Sequence, residues 1–292
     1  MTVAGAPDAP GQPDRAGRRW FGRGGGRRPA PVIRRTLAVA GVQRSYLLAA
    51  PPPGVQPVGI VLCLHGSMSV ASRQRGLTRM DRLAVDGAVV AFPQAIRPLG
   101  RGFAWDHAVD LPYLVALLAS LTAEFGPKVS RACLSGMSGG ARQSCQLAWE
   151  RPDLVGAVGA VAGVRSGVPP GPGMPVPVVA FHGTDDRINP YAGGHDARWD
   201  ISVPEAVTNW ARANQVADRP AEELVTPTLA RWTFGDVGGP GEVTLWTSQG
   251  AGHTWPGGYL PLIARGVLGR TSTEIDATDT IWRFYRQHQP GG

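Results

Sequence analysis

The 292-residue sequence predicts an α/β fold, a mostly parallel sheet of about eight strands with helices on both faces. Three observations predict it. The apolar runs at 59–65 (GIVLCLH), 88–92 (AVVAF) and 176–181 (VPVVAF) are of strand length and continuous, as expected for strands covered on both faces. Helix-compatible segments lie between the runs, so strand and helix alternate along the chain. The polar residues able to do chemistry stand where the runs stop, which is where sites gather in open parallel sheets.

Residues 1–33 are rich in Gly, Pro, Ala and Arg and carry too little apolar surface for a core, so a disordered tail is expected there. A single domain is expected over 34–290, since the Gly/Pro-rich breaks at 164–175 and 236–241 have no composition change around them. Runs at 36–40 and 44–50 read as an edge hairpin turning at Gly41-Val42. After the strand at 59–65, a helix is expected at about 76–86, then the strand at 88–92. A loop with Trp105, Asp106 and His107 leads to a helix at about 110–125, where Leu114, Leu117, Leu118 and Leu121 recur at helical spacing. A short strand at 132–134, a turn and a helix at 141–151 come next. Strands follow at 155–161 and 176–181, a helix at 204–214, strands at 230–234 and 243–247, and a closing amphipathic helix at about 273–288.

The net charge of +7 could suggest nucleic acid, but its distribution argues otherwise. Residues 1–35 hold eight Arg against Asp8 and Asp14, while the remainder holds 21 basic and 20 acidic residues. The basicity belongs to the tail, and no nucleic-acid partner is expected for the folded part. No uninterrupted apolar stretch predicts a membrane span, and no apolar core of a secretory signal is visible, so a cytoplasmic location is expected from the sequence as it stands. Cys63, Cys133 and Cys145 are too few and too scattered for a disulfide framework and read as small buried residues. No metal-ligating pair or nucleotide-binding glycine fingerprint occurs, so no cofactor is expected.

The chain turns on Gly136-Met137-Ser138-Gly139-Gly140, set between the strand at 132–134 and the helix at 141–151. Strand, glycine-flanked serine and helix make the context of a nucleophile elbow. The helix N-terminus that follows favours developing negative charge. Other strand ends carry His65-Gly66-Ser67, Asp185-Asp186 and, in GAGHTWPGG, His253. The order Ser, Asp, His along the chain is that of an α/β-hydrolase triad, with little or no lid domain. In that reading Ser138 is the nucleophile and His253 its general base, because a serine hydroxyl is a weak nucleophile without one. Asp186 or Asp185 holds the imidazole, since spacing does not separate two adjacent carboxylates. The backbone N–H groups of Ser67 and Gly139 form the oxyanion hole.

Several segments carry a resemblance: RSYLLAAPP, VLCLHGS, CLSGMSGGARQSCQLAWERPD, FHGTDDRINPY with GAGHTWPGG, and TSTEIDATDTIWRFYRQH. Together, over 34–288, they resemble the polyhydroxybutyrate-depolymerase-like esterases of the α/β-hydrolase superfamily, whose relatives include feruloyl and acetylxylan esterases. The resemblance implies a serine ester hydrolase acting on small or oligomeric esters of 3-hydroxybutyrate-oligomer, feruloyl or acetyl type. It places the acid of the triad at Asp186, through the pattern HGT-x-D, and a substrate-binding wall at Trp105, Tyr191 and Trp255, with His65 beside them. Many relatives have Cys where Ser67 stands and are secreted, which keeps an extracellular location as the alternative.

Overall fold

The computed structural model describes residues 31–126, 131–166, 174–194, 199–217, 219–260 and 262–289. Of the tail expected over 1–33, residues 1–30 lie outside the described residues. The hairpin is β1 (Ile33–Val39) and β2 (Val42–Ala49). The buried runs become β3 (Gly59–Leu64), β4 (Ala88–Pro93), β7 (Ala132–Met137), β8 (Val155–Val161) and β9 (Val178–Gly183), and β12 (Val243–Ser248) lies beside β9. Among the described residues these strands, with β11 (Leu229–Phe234) and β10 (Ala221–Thr226), form a ten-stranded sheet in the order β1-β2-β4-β3-β7-β8-β9-β12-β11-β10. The six strands from β4 to β12 run parallel, and antiparallel pairs finish both edges. The chain leaves β3 for β4 on one side and later returns to β7 on the other. The carboxyl ends of β3 and β7 therefore flank the topological switch point, where open α/β sheets bind ligands.

The apolar strands divide their side chains between two layers. Ile60, Leu62 and Leu64 of β3 pack with Leu114, Leu117 and Leu121 of α2 (His107–Phe125), Leu147 of α3 (Gly139–Glu150) and Trp210 of α4 (Val203–Ala213). Val61 and Cys63 face the other layer, with Met80 and with Ile281, Trp282 and Tyr285 of α6 (Ala277–Gln287). The period of two in a strand thus meets a helical layer at every residue, and the continuous apolar run follows from that. Glycine in β8 has a packing reason, since a β-carbon placed on Gly159 would lie 2.6 Å from Ile281 Cγ2. All three cysteines are free and buried, in β3, β7 and α3.

Several elements differ from the sequence expectation. The helix expected at 76–86 is α1 (Ala71–Thr78) followed by a separate 3-10 segment (Met80–Asp86), because Arg79 between them takes a left-handed conformation with φ 51°. Helix α2 starts three residues early. Its Asp110 carboxylate accepts the backbone N–H of Asp106 at 2.8 Å, holding the first turn, and pairs with buried Arg44. By length and composition α2 could cross a bilayer, but Tyr113, Leu114, Leu117, Leu118 and Leu121 are buried against the sheet, as in a core helix. The sheet exceeds the expected eight or so strands: the nine runs read as strands are joined by β10, AEELVT, which is exposed along nearly its whole length and has no apolar face to recognise. A short hairpin of β5 (Arg97–Leu99) and β6 (Gly102–Ala104), and helix α5 (Leu262–Leu268), are also additions.

Candidate active site

Strand β7 runs three residues further than its apolar stretch and delivers Ser138 to the start of α3. Ser138 has φ 55° and ψ −119°, a combination that costs a non-glycine residue about 1–3 kcal/mol. Its surroundings over-determine it. Its N–H donates to Val161 O at 2.8 Å, and its carbonyl accepts from Arg142 N at 3.0 Å. The neighbouring glycines are compulsory. A β-carbon on Gly136 would lie 2.5 Å from Gly140 C, and one on Gly140 would collide with Leu64 O at the end of β3. Nor does Ser138 use its hydroxyl to cap α3.

The loops after β9 and β12 meet. Asp185 N donates to Ala251 O at 2.9 Å, and Gly183 packs directly on the Ala251 carbonyl. Their contact brings His253 Nδ1 to 2.7 Å from Asp186 Oδ2, with both residues buried. Asp185 is exposed, so the two adjacent carboxylates are separated by the loop: one faces the imidazole and the other faces water. Asp186 Oδ1 accepts from Ile188 N at 2.9 Å and Asn189 N at 2.8 Å. Burial pushes this carboxyl up. The hydrogen bonds and charge of His182 and His253 outweigh burial and hold it well below the usual carboxylate range. The His253 loop is clamped from behind: Arg270 donates to the carbonyls of Gln249 and Gly250, and Arg270 O accepts from Gly252 N at 2.9 Å. Among the described residues no hydrogen bond joins His253 Nε2 to Ser138 Oγ, a link that commonly tightens only when substrate is bound.

Two residues of this network carry no role in the sequence reading. His182, the last side chain of β9 before Gly183, directs Nε2 to Asn189 O at 2.8 Å and to Asp186 Oδ2 at 3.3 Å, while its buried Nδ1 has no partner among the described residues. Asn189 donates through Nδ2 to Ala162 O at 2.5 Å, tying the acid loop to the end of β8 beside the serine turn. The signal that could have found both is their spacing around Asp186, at positions −4 and +3 in HGTDDRIN.

The loop after β3 approaches the serine turn. A β-carbon on Gly139 would lie 3.2 Å from Ser67 N, so the two amides are neighbours, and neither donates a backbone hydrogen bond to another described residue. Of the four residues expected to bind substrate, two are corrected. His65 is fully buried: Nδ1 donates to Gly66 O at 2.8 Å, and Nε2 accepts from Ala95 N at 3.2 Å. Burial also lowers its pKa, so it is a neutral strut of the Ser67 loop rather than a substrate contact. Trp255 is fully buried in the α6 layer, with Nε1 donating to Thr278 Oγ1 at 3.1 Å, so its indole lines no binding surface. Trp105 is 9% exposed; its Nε1 donates to His65 O at 2.7 Å and its ring packs on the His65 imidazole, so it too shapes the Ser67 loop. Tyr191 is partly buried, hydroxyl to hydroxyl with Thr247 at 3.0 Å and edge-on to His182.

Among the described residues no group of His, Cys, Asp and Glu is arranged to hold a metal ion. A cavity of about 440 Å³, lined by Gly258, Leu260, Arg265, Gly269, Arg270, Thr271 and Thr273, lies behind the His253 loop and includes none of the candidate residues.

No protein-family model matches the chain. A protein named "Putative esterase NocK", from Nocardia uniformis subsp. tsuyamanensis, is 29% identical to it over 298 residues, covering 88% of this chain and 84% of that protein. Among solved structures, the acetyl xylan esterase from Aspergillus awamori superposes with a TM-score of 0.59 at 16% identity, covering 76% of this chain and 94% of its own. Esterase PE8 superposes with a TM-score of 0.51 at 19% identity, over 82% and 97% of the two chains. XC6422 from Xanthomonas campestris, described as a serine hydrolase without a lid, also reaches 0.51, at 15% identity over 90% and 98%. At these identities the structural likeness is one of fold, and the fold of this chain is that of the α/β-hydrolases.

Proposed function

We propose that the chain is a serine carboxylic-ester hydrolase working through an acyl-enzyme. Ser138 Oγ attacks the ester carbonyl carbon while its proton passes to His253 Nε2. The tetrahedral oxyanion is received by the N–H groups of Ser67 and Gly139. Collapse breaks the bond to the leaving oxygen, and His253 returns the proton to the departing alcohol. Water then repeats the sequence on the acyl-enzyme, giving the free acid and restoring Ser138. Asp186 keeps His253 in the tautomer with Nε2 free and stabilises the imidazolium. The observation that carries the reading is the buried Asp186–His253 pair in a structure that also holds a serine at φ 55° between obligatory glycines.

The name of the Nocardia relative supports an ester substrate. Within esters, the resemblance to polyhydroxybutyrate-depolymerase-like enzymes favours 3-hydroxybutyrate oligomers, feruloyl or acetyl esters. The test is hydrolysis of p-nitrophenyl acetate and butyrate, with Ser138→Ala as control. Wild-type turnover and a fall of about 10³-fold or more in the variant are expected. A variant as active as wild type sinks the assignment of Ser138, and failure of wild type to react with a fluorophosphonate probe sinks the serine mechanism.

A further inference from the structure

One side of the candidate site is cationic. Arg142 lies in the first turn of α3, four residues after Ser138, and its guanidinium reaches back along the helix to the serine turn. A β-carbon placed on Gly139 would lie 3.6 Å from Arg142 Nη2 and 3.2 Å from Ser67 N, so the guanidinium flanks the two amides that face the oxyanion. Trp199, 5% exposed, backs this corner with its ring. Arg142 Cζ lies 5.3 Å from the ring centroid and Arg165 Cζ, from the segment just past β8, lies 4.1 Å from it. Arg165 faces Asp200 at 3.5 Å, across a carboxylate that is 68% exposed. Further out, Arg97 and Arg101 stand exposed on and beside the β5–β6 hairpin, whose Phe103 O accepts Met68 N directly after Ser67.

We propose that the preferred substrate is an ester that also carries a carboxylate on its acyl part, a half-ester of a short dicarboxylic acid, with Arg142 as the specificity-determining residue. The inference rests on the serine-hydrolase reading above. The leaving alcohol must face His253, which protonates it, so a cation beside the Ser67 and Gly139 amides meets the acyl half of the substrate. A guanidinium presents five N–H donors in a planar fork matched to a carboxylate, and binding a substrate takes only a share of them. The Trp199 ring lies within cation–π reach of the Arg142 guanidinium and restricts its motion, which lowers the entropy lost on binding. The exposed arginines on the same rim add an attractive field for an anionic substrate.

The experiment compares the mono-p-nitrophenyl ester of glutaric acid with p-nitrophenyl pentanoate, a neutral ester of similar length, in wild type, Arg142→Gln and Arg142→Lys. The ratio of kcat/KM, half-ester over neutral ester, is expected to exceed one in wild type. It should fall about tenfold or more in Arg142→Gln and less in Arg142→Lys, which keeps the charge but loses the fork. A wild-type ratio at or below one, or a ratio unchanged in Arg142→Gln, overturns the proposal while leaving the serine mechanism standing. Calorimetric binding of glutarate and pentanoate to the full-length Ser138→Ala chain gives a readout without turnover. Tighter binding of glutarate, weakened by adding Arg142→Gln, is expected, and equal affinities overturn the assignment of Arg142. Turnover of neither ester by wild type would instead count against the hydrolase reading itself.

Discussion

Asp186 gathers more of the site than any other side chain. It accepts from His253, from His182 and from two backbone amides, all while buried. Each of those donors is itself out of water, so losing the carboxylate strands several buried polar groups at once. Asp186→Asn is expected to cost about 1–3 kcal/mol at neutral pH and to cut turnover by about 10³- to 10⁴-fold, since an amide N–H donating to Nδ1 favours the imidazole tautomer protonated at Nε2, which cannot take the serine proton. The pH dependence has a definite sign. The folded carboxyl lies below its unfolded value, so in the acid range the unfolded chain binds the extra proton. Stability from this group is full above the ordinary carboxylate pKa and is lost as pH falls through the lowered, folded value. The difference in unfolding free energy between wild type and Asp186→Asn should therefore narrow as pH is lowered below about 4. Urea titrations of both proteins at several pH values read this directly, and a gap that stays constant down to the acid transition contradicts it. The pairing of Asp186 with His253 was legible in the sequence, because Ser138, Asp186 and His253 stand at strand ends in the order that a triad would take. The second histidine went unread: its place four residues before the acid in HGTDD is its only trace, and the contact depends on how the loop after β9 curls back onto it.

The secondary elements were legible where burial wrote them. Strands β3, β4 and β8 are apolar throughout because both faces are covered, and each stands within a residue or two of its expected place. Elements at the rim obey weaker rules. Strand β10 is held by its pairing with β11 and exposes Glu222 and Glu223, charges that keep an edge from pairing further, so its sequence reads as a loop. The break between α1 and the 3-10 segment comes from the left-handed turn at Arg79, which no breaker residue announces. Gly159 shows how an element carries the site. It lets α6 lie against β8, the strand whose Val161 carbonyl accepts the Ser138 amide. Gly159→Ala should cost about 1–3 kcal/mol, because Ile281 branches at the contact and cannot swing clear. Ile281→Ala alone should cost about 2–5 kcal/mol through the cavity it leaves. If the two share one contact, the double variant loses less than the sum of the single losses. Strict additivity in chemical denaturation would mean that helix and strand do not press on each other there.

For the molecule as a whole, the candidate residues arrive from the ends of β3, β7, β9 and β12, so they sit together only while the parallel core of the sheet is intact. The alternation of strand and helix made that architecture legible; which loops touch above it was not, because Gly183 against Ala251 and Gly252 against Leu268 are close backbone approaches that leave only scattered glycines in the sequence. The three cysteines offer a probe of the core. Cys63 and Cys133 lie on adjacent strands, β3 and β7, with their side chains in the α6 layer, and Cys145 lies on α3 in the layer on the opposite face. All three are at most 2% exposed, and burial raises each thiol, Cys63 and Cys145 to about 12. A thiolate is the reactive form, so no cysteine should react with an aromatic disulfide reagent in the native protein at mildly alkaline pH. The two layers lie on opposite faces of the same central strands, so exposing any of the three thiols requires opening the centre of the sheet. In a native-state labelling experiment at low denaturant, the three sites resolved by peptide mapping should therefore share one labelling rate, and that rate should track the global unfolding free energy. Earlier labelling of Cys145 than of Cys63 and Cys133 would show α3, and with it the turn that holds Ser138, opening independently of the sheet.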